Sequence, residues 1–151
     1  MRLTTKVRYG VRAIFDIAYQ SAGLPVAVKD ISKRQAIPQR YLEQILHNLK
    51  KARIIKSIRG PNGGYVLGRD PAKITVGDII EAVHEPINPV FCVDDATKCA
   101  RAAQCVTRQV WKEAGEKLQE LFDSKTIGDM CEKARAMGLK KDIRHPFNYN
   151  I

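Results

Sequence analysis

Between residues 28 and 67 the hydrophobic period of the chain passes from helical to extended, an order that few folds accept. Residues 28–35 suit a short helix, which Ala36-Ile37-Pro38 interrupts. Pro38 suits the first position of the next helix, because it lacks only a donor that a helix start leaves unpaired. Over 38–52, Tyr41, Leu42, Ile45, Leu46, Leu49 and Ala52 recur at helical spacing and predict an apolar stripe. Gln39, Arg40, Glu43, Gln44, His47, Asn48, Lys50 and Lys51 fall on the other face. Two helices joined by a tight turn, the second basic and amide-rich outside, make a helix-turn-helix pattern. The β-branched run from Arg53 to Arg59, the turn Gly60-Pro61-Asn62-Gly63-Gly64 and Tyr65-Val66-Leu67 then predict a β-hairpin. Asn62-Gly63 is expected to supply its positive φ angles. A hairpin in that place is a wing.

The remaining elements follow from caps and periodicity. Thr4 or Thr5 caps a first helix over 5–19, with Val7, Val11, Ile14, Phe15 and Ala18 on one face. Thr75 caps a helix over 76–83. Residues 86–105 read as a loop. A long helix follows over 106–122, with Val106, Val110, Ala114, Leu118 and Leu121 on one side. Thr126 and Asp129 form a capping box for a last helix over 127–137. The expected fold is mainly α with a small β-hairpin. It comprises a winged helix-turn-helix domain over 1–85, a cysteine-bearing loop over 86–105, a dimerisation helix and terminal helix over 106–137, and a tail over 138–151.

Charge indicates the partner. The formal net charge is +10. Residues 1–72 hold 14 basic and 4 acidic side chains, whereas 73–151 hold 12 of each, so the whole excess sits with the helix-turn-helix and wing. That asymmetry points first to nucleic acid as the partner and second to an anionic membrane surface, and its coincidence with the helix-turn-helix and wing favours double-stranded DNA. In the major groove, Arg40 can bond guanine O6 and N7, Gln39 or Gln44 adenine N6 and N7, and Glu43 can accept from cytosine N4. Arg59 on the wing can enter a narrow minor groove. Lys6, Arg8, Lys50, Lys51 and Lys56 suit phosphates. The long helix lacks a partner in so short a chain, so a two-fold homodimer that matches DNA half-sites is expected.

Cys92, Cys99 and Cys105 are separated by six and five residues. Zinc ligands usually pair more closely, with two to four residues between them, and no nearby histidine or carboxylate completes a familiar zinc set. Spaced soft thiolates on one polar segment suit an iron–sulfur cluster instead. Cys131, beside Ile127, Met130 and Ala134, reads as a core residue. No Walker-type loop and no Ser-His-Asp or Cys-His constellation is present, so the chain is not read as an enzyme. A thiol-redox enzyme would need a reactive low-pKa cysteine that the sequence does not display. Neither a membrane span nor a signal peptide is apparent, and a cytoplasmic location is expected.

Four stretches carry a resemblance over about residues 1–137. They are Met-Arg-Leu-Thr-Thr-Lys at the start, Tyr41-Leu42-Glu43-Gln44, the segment from Ser57 to Tyr65, and Ile74-Thr75-Val76-Gly77-Asp78-Ile79; the three cysteines followed by Trp111 also fit. The chain resembles the IscR/NsrR/CymR family of bacterial winged-helix transcription regulators, in particular its IscR-like, cluster-binding members. The resemblance implies a homodimer on a palindromic operator, controlling iron–sulfur biogenesis or a related stress or cysteine-metabolism response. It implies that Cys92, Cys99 and Cys105 hold a cluster whose state changes DNA affinity, 2Fe–2S being favoured over 4Fe–4S. Such exposed clusters are easily lost to air, so a cluster-free preparation is an expected form. It also implies that Tyr41, Glu43, Gln44 and Arg59 face DNA. Two departures stand out. The IscR-like ligand histidine three residues after the third cysteine is Arg108 here, and the NsrR-like first-helix aspartate is Arg8. The fourth ligand is left open among Cys131, His84, Glu85, a partner-chain residue and an external molecule. CymR-like members lack the loop cysteines and sense through a partner enzyme. The aromatic ending over 147–151 is similar to theirs, which keeps an enzyme partner as the second reading.

Overall fold

The computed structural model describes residues 3–141. Its helices are α1 (Thr5–Gln20), α2 (Val28–Gln35), α3 (Gln39–Lys51), α4 (Val76–Ala82), α5 (Phe91–Asp94), α6 (Val106–Asp123) and α7 (Ile127–Ala136). One antiparallel hairpin pairs β1 (Ile55–Ile58) with β2 (Gly64–Leu67). The first two residues and most of the 138–151 tail, including His145 and the 147–151 ending, lie outside the described residues.

Helix α1 is the hub. The Thr4 hydroxyl accepts from the Val7 amide at 3.3 Å and starts it. It buries Val7, Ala13, Ile14, Ile17 and Tyr19 and packs against α2, α3, α4, α7 and β2. Gly10 lets α1 come close to its neighbours: a Cβ there would sit 3.2 Å from Ile79 of α4 and 3.7 Å from Ile45 of α3.

A buried carboxylate then fixes α2. Asp16 is 1% exposed and stands on the packed side of α1. Arg34 of α2 donates to it through Nε at 3.0 Å and Nη2 at 2.7 Å, and Gln35 Nε2 donates at 2.9 Å. Arg12, one turn earlier on α1, donates to the Gln35 side chain and to its carbonyl. Such a fork-shaped pair is directional, so it sets the angle at which α2 leaves α1.

The turn into α3 follows. Ala36 closes α2 in the left-handed conformation, φ 50° and ψ 47°, and the buried Ile37 seals the corner. Pro38 caps α3 from outside rather than opening it, its carbonyl accepting from the Tyr41 and Leu42 amides. Leu42, Ile45, Leu46 and Leu49 are buried as the stripe predicts. Ala52 is exposed, because it has become the C-cap and lies past the last packed turn.

The hairpin register pairs Ile55 with Leu67 and Ile58 with Gly64. Val26 and Tyr65 exchange backbone hydrogen bonds of 2.9 and 2.8 Å and fasten the wing to the α1–α2 connection. The turn differs from expectation. Positive φ falls at Gly60 (115°), not at Asn62-Gly63. Gly63 is needed for closeness instead: a Cβ there would strike the Ile58 carbonyl. The loop is longer than the two-residue turn that the dipeptide suggested, so its left-handed residue sits earlier.

Thr75 and Thr126 head α4 and α7, each with a complete capping box to Asp78 and Asp129. The two starts are bridged: Val76 N–H donates to Lys125 O and Ile127 N–H to Ile74 O, both at 2.9 Å. Helix α7 folds back on α1 and buries Ile127, Cys131 and Ala134. Residues 86–105 are not a plain loop. They hold α5 and two 3₁₀ turns, Ala96–Lys98 and Ala102–Gln104, because local caps such as Asp95 on the Thr97 amide (3.0 Å) wind each short piece.

Removing one member of a buried, hydrogen-bonded ion pair costs about 3–5 kcal/mol. Asp16→Ala should therefore lower unfolding stability by about that amount in urea titrations followed by circular dichroism. The exposed control Glu132→Ala should change it by less than about 1 kcal/mol.

Candidate functional site

The outer face of α3 is free of packing duties. Gln39, Arg40, Glu43, Gln44, His47 and Lys50 are exposed, and Gln39 donates to Glu43 at 3.0 Å. Lys6 of α1 joins Arg40, Glu43, Gln44, His47 and Asn48 around one shallow depression. Tyr41 is different. It is half-buried, its ring meeting Tyr9 of α1 edge-on at 6.0 Å, and the Arg12 guanidinium lies 5.5 Å from the centre of the Tyr9 ring. This aromatic contact sets the roll of α3 on α1. Arg59 is exposed at the end of β1. Strand β1 packs against α3, and burial and, after it, the charge of Glu43 push the Tyr65 hydroxyl pKa up. Of the expected groove-facing residues, Gln39, Arg40, Glu43 and Gln44 thus share the solvent side of α3, Tyr41 lies between that side and α1, and Arg59 stands exposed just after β1.

The thiols form a second site. Cys92 lies in α5, Cys99 just after a 3₁₀ turn and Cys105 at the N-cap of α6; all three are free and partly exposed. Cys105 Sγ is 3.2 Å from the Thr107 hydroxyl. That contact, then the Arg108 amide and the Arg101 charge, hold its pKa below the ordinary thiol range. The donor chemistry fits a soft metal cluster: three accessible thiols, one biased toward thiolate, on one segment. Among the described residues no three His, Cys, Asp or Glu side chains converge as a ready-made metal site. Ligation would have to draw the connection together.

Arg108, in the position where a ligand was sought, has another task. Its Nε donates to the Cys92 carbonyl at 2.8 Å and ties α5 to α6. Asn88 donates to Asp94 at 2.5 Å, and its side chain fills the notch left by Gly115 on α6. The other fourth-ligand candidates are occupied or remote in character. Cys131 is 5% exposed in the core, and burial pushes its pKa up. Glu85 pairs with Lys6 at 3.4 Å. His84 is exposed, with φ 57°. Arg8 is exposed on α1. On α6, Val106 is 84% and Val110 57% exposed, and Trp111 and Leu121 are also open, so a large apolar face stands uncovered by this chain.

Sequence reasoning missed Asp16, Asn88 and the bonding of Arg108. Asp16 alone left a signal, a charge set among Ala13, Ile14 and Ile17 on the packed side of α1.

Comparison with known proteins agrees with this architecture. The model of the Rrf2 family, described as iron-dependent transcriptional regulators, matches residues 3–133. The chain is 39% identical to the HTH-type transcriptional regulator IscR of Escherichia coli O1:K1 over 137 residues, covering 91% of this chain and 84% of that protein. It is likewise 39% identical to IscR of Cronobacter sakazakii over 145 residues, covering 96% and 88%. Among solved structures, T. potens IscR superposes with TM-score 0.75 and 35% identity, covering 93% of each chain. CymR of B. subtilis, described as the global cysteine regulator, superposes with TM-score 0.72 and 34% identity, covering 88% of this chain and 98% of that one. These relatives are named as regulators, not as enzymes. No helix among the described residues is long and apolar enough to cross a membrane.

With its thiols free, the protein should alkylate first at Cys105 and last at Cys131. The thiolate is the nucleophile, and the two pKa values are shifted in opposite directions. Iodoacetamide labelling across pH 6–9, read by peptide mass spectrometry, should place the Cys105 midpoint lowest. Equal midpoints would contradict the assignment.

Proposed function

Since the chain belongs to the Rrf2 family of iron-dependent transcriptional regulators, we propose that it is a homodimeric DNA-binding regulator whose affinity for an operator is set by an iron–sulfur cluster on Cys92, Cys99 and Cys105. The observation that carries the reading is the bond from Arg108 to the Cys92 carbonyl. It attaches the thiol-bearing connection to α6, whose outer face is the uncovered apolar surface. When bound, a cluster would supply a redox- and oxygen-sensitive link among three thiolates. The chain's own residues do the rest. Helix α3 enters the major groove with Gln39, Arg40, Glu43 and Gln44 toward the bases, Tyr41 holds its roll, and Arg59 on the wing enters the minor groove. Val106, Val110 and Leu121 of two copies meet, and the two-fold axis sets the spacing of the two α3 helices on a palindromic site. Drawing Cys92 toward Cys105 would pull on Arg108 and alter that spacing, a two-state bias of the kind interfaces support. Reduced thiols and DNA both point to the cytoplasm as its compartment.

Anaerobically purified or reconstituted protein should be brown, with iron and sulfide in equal amounts, and Cys92→Ala should be colourless. Fluorescence anisotropy on a duplex selected from a random pool should give different affinities for loaded and cluster-free protein. Arg40→Ala should reduce the preference for that duplex over random DNA by roughly tenfold, the size of one base contact. Protein that stays colourless after reconstitution would move sensing to a protein partner, as CymR-like members do. Equal affinities would end the switch.

A further inference from the structure

Where α3 ends, its backbone makes a Schellman turn. Arg53 N–H donates to Lys50 O at 3.0 Å and Ile54 N–H to Leu49 O at 3.1 Å. The residue after the cap must then be left-handed, and glycine is its usual occupant. Here it is Arg53, with φ 59°. Gly68, on the return of the hairpin, packs so closely that a Cβ would strike the Arg53 carbonyl, which holds the backbone in place. A long cation is therefore kept where a glycine would be less strained. Complementing the negative end of the helix does not explain it, because Lys50 and Lys51 already stand in that last turn.

What surrounds Arg53 gives it a use. An open groove between the end of α3 and the base of the wing is lined by Lys50, Arg53, Lys56, Ser57 and Arg69, with no acidic side chain in its lining. Only Arg69 has a carboxylate partner among the described residues, Asp78 at a loose 3.6 Å. Lys50 lies two turns beyond Glu43 on the same face of α3, so the groove continues the face proposed to meet bases.

We infer that this groove binds the phosphodiester backbone of duplex DNA flanking the bases that α3 faces, with Arg53 and Lys56 as phosphate ligands. The inference rests on the DNA-binding reading above. Phosphate contacts anchor a protein irrespective of sequence and release counterions, so each is visible as salt dependence.

The test uses the whole protein with Arg53→Gly and Lys56→Gln. Arg53→Gly removes the cation and relaxes the backbone, so its Tm should be equal to or above that of the parent. Its affinity should nevertheless fall, by a similar factor on the selected duplex and on random DNA. The slope of log K against log salt should shrink by about 0.9 for each phosphate no longer neutralised. Lys56→Gln should behave alike. Parental affinity and slope in both variants would overturn the groove. So would a weakening confined to the selected duplex, which would make Arg53 a base reader. If the parent protein itself binds no duplex, the DNA-binding reading fails and the groove with it; that outcome is read on the parent alone.

Discussion

Everything that α3 presents to solvent depends on one buried carboxylate. Asp16 is the one charged residue in the core of the described chain, and Arg34 meets it with a two-pronged donor set. A buried pair of this kind does not add much net stability compared with apolar packing, since desolvation offsets most of the attraction. Its value is geometric. Hydrophobic contacts between α1 and α2 would tolerate sliding, whereas the fork and the additional bonds through Gln35 and Arg12 admit one angle. The short left-handed corner at Ala36 then hands that angle on to α3.

Much of this fold was legible because its signals are local. The threonine caps, the α3 stripe and the wing are each written within a few residues, and Thr4, Thr75 and Thr126 cap as their sequence neighbours suggest. Long-range partners were not legible. Arg34 lies 18 residues from Asp16, and nothing in either neighbourhood announces the pairing. The Gly60 conformation, and not that of Asn62-Gly63, was decided by loop length. The short helical turns over 86–105 arise from single side chains such as Asp95, too few for a periodicity to show. The DNA-facing and thiol candidates were legible as residue types. Their tethering through Arg108 and Asn88 was not, since a guanidinium on a carbonyl leaves no motif.

The two candidate sites differ in how firmly they are built. The face of α3 rests on a packed stripe and an aromatic edge contact, so its side chains start from a rigid platform. The thiol segment rests on short helical turns, one guanidinium bond and one filled notch, with no residue of α5 buried. A recognition surface benefits from stiffness because discrimination depends on sub-ångström placement. A sensing segment benefits from shallow anchoring because it has to move for a modest chemical change.

The bridge between Thr75 and Thr126 has a wider meaning. Both ends of the excursion that carries the thiols and α6 leave the body of the protein from adjacent points, each stopped by its own helix cap. Such an excursion is topologically an insert. Its part beyond α4, whose Ile79, Ile80 and Val83 belong to the core, can be lengthened, shortened or exchanged while α1, α4, α7 and the wing keep their mutual packing. A scaffold of this form can change what it senses in evolution without relearning how to fold.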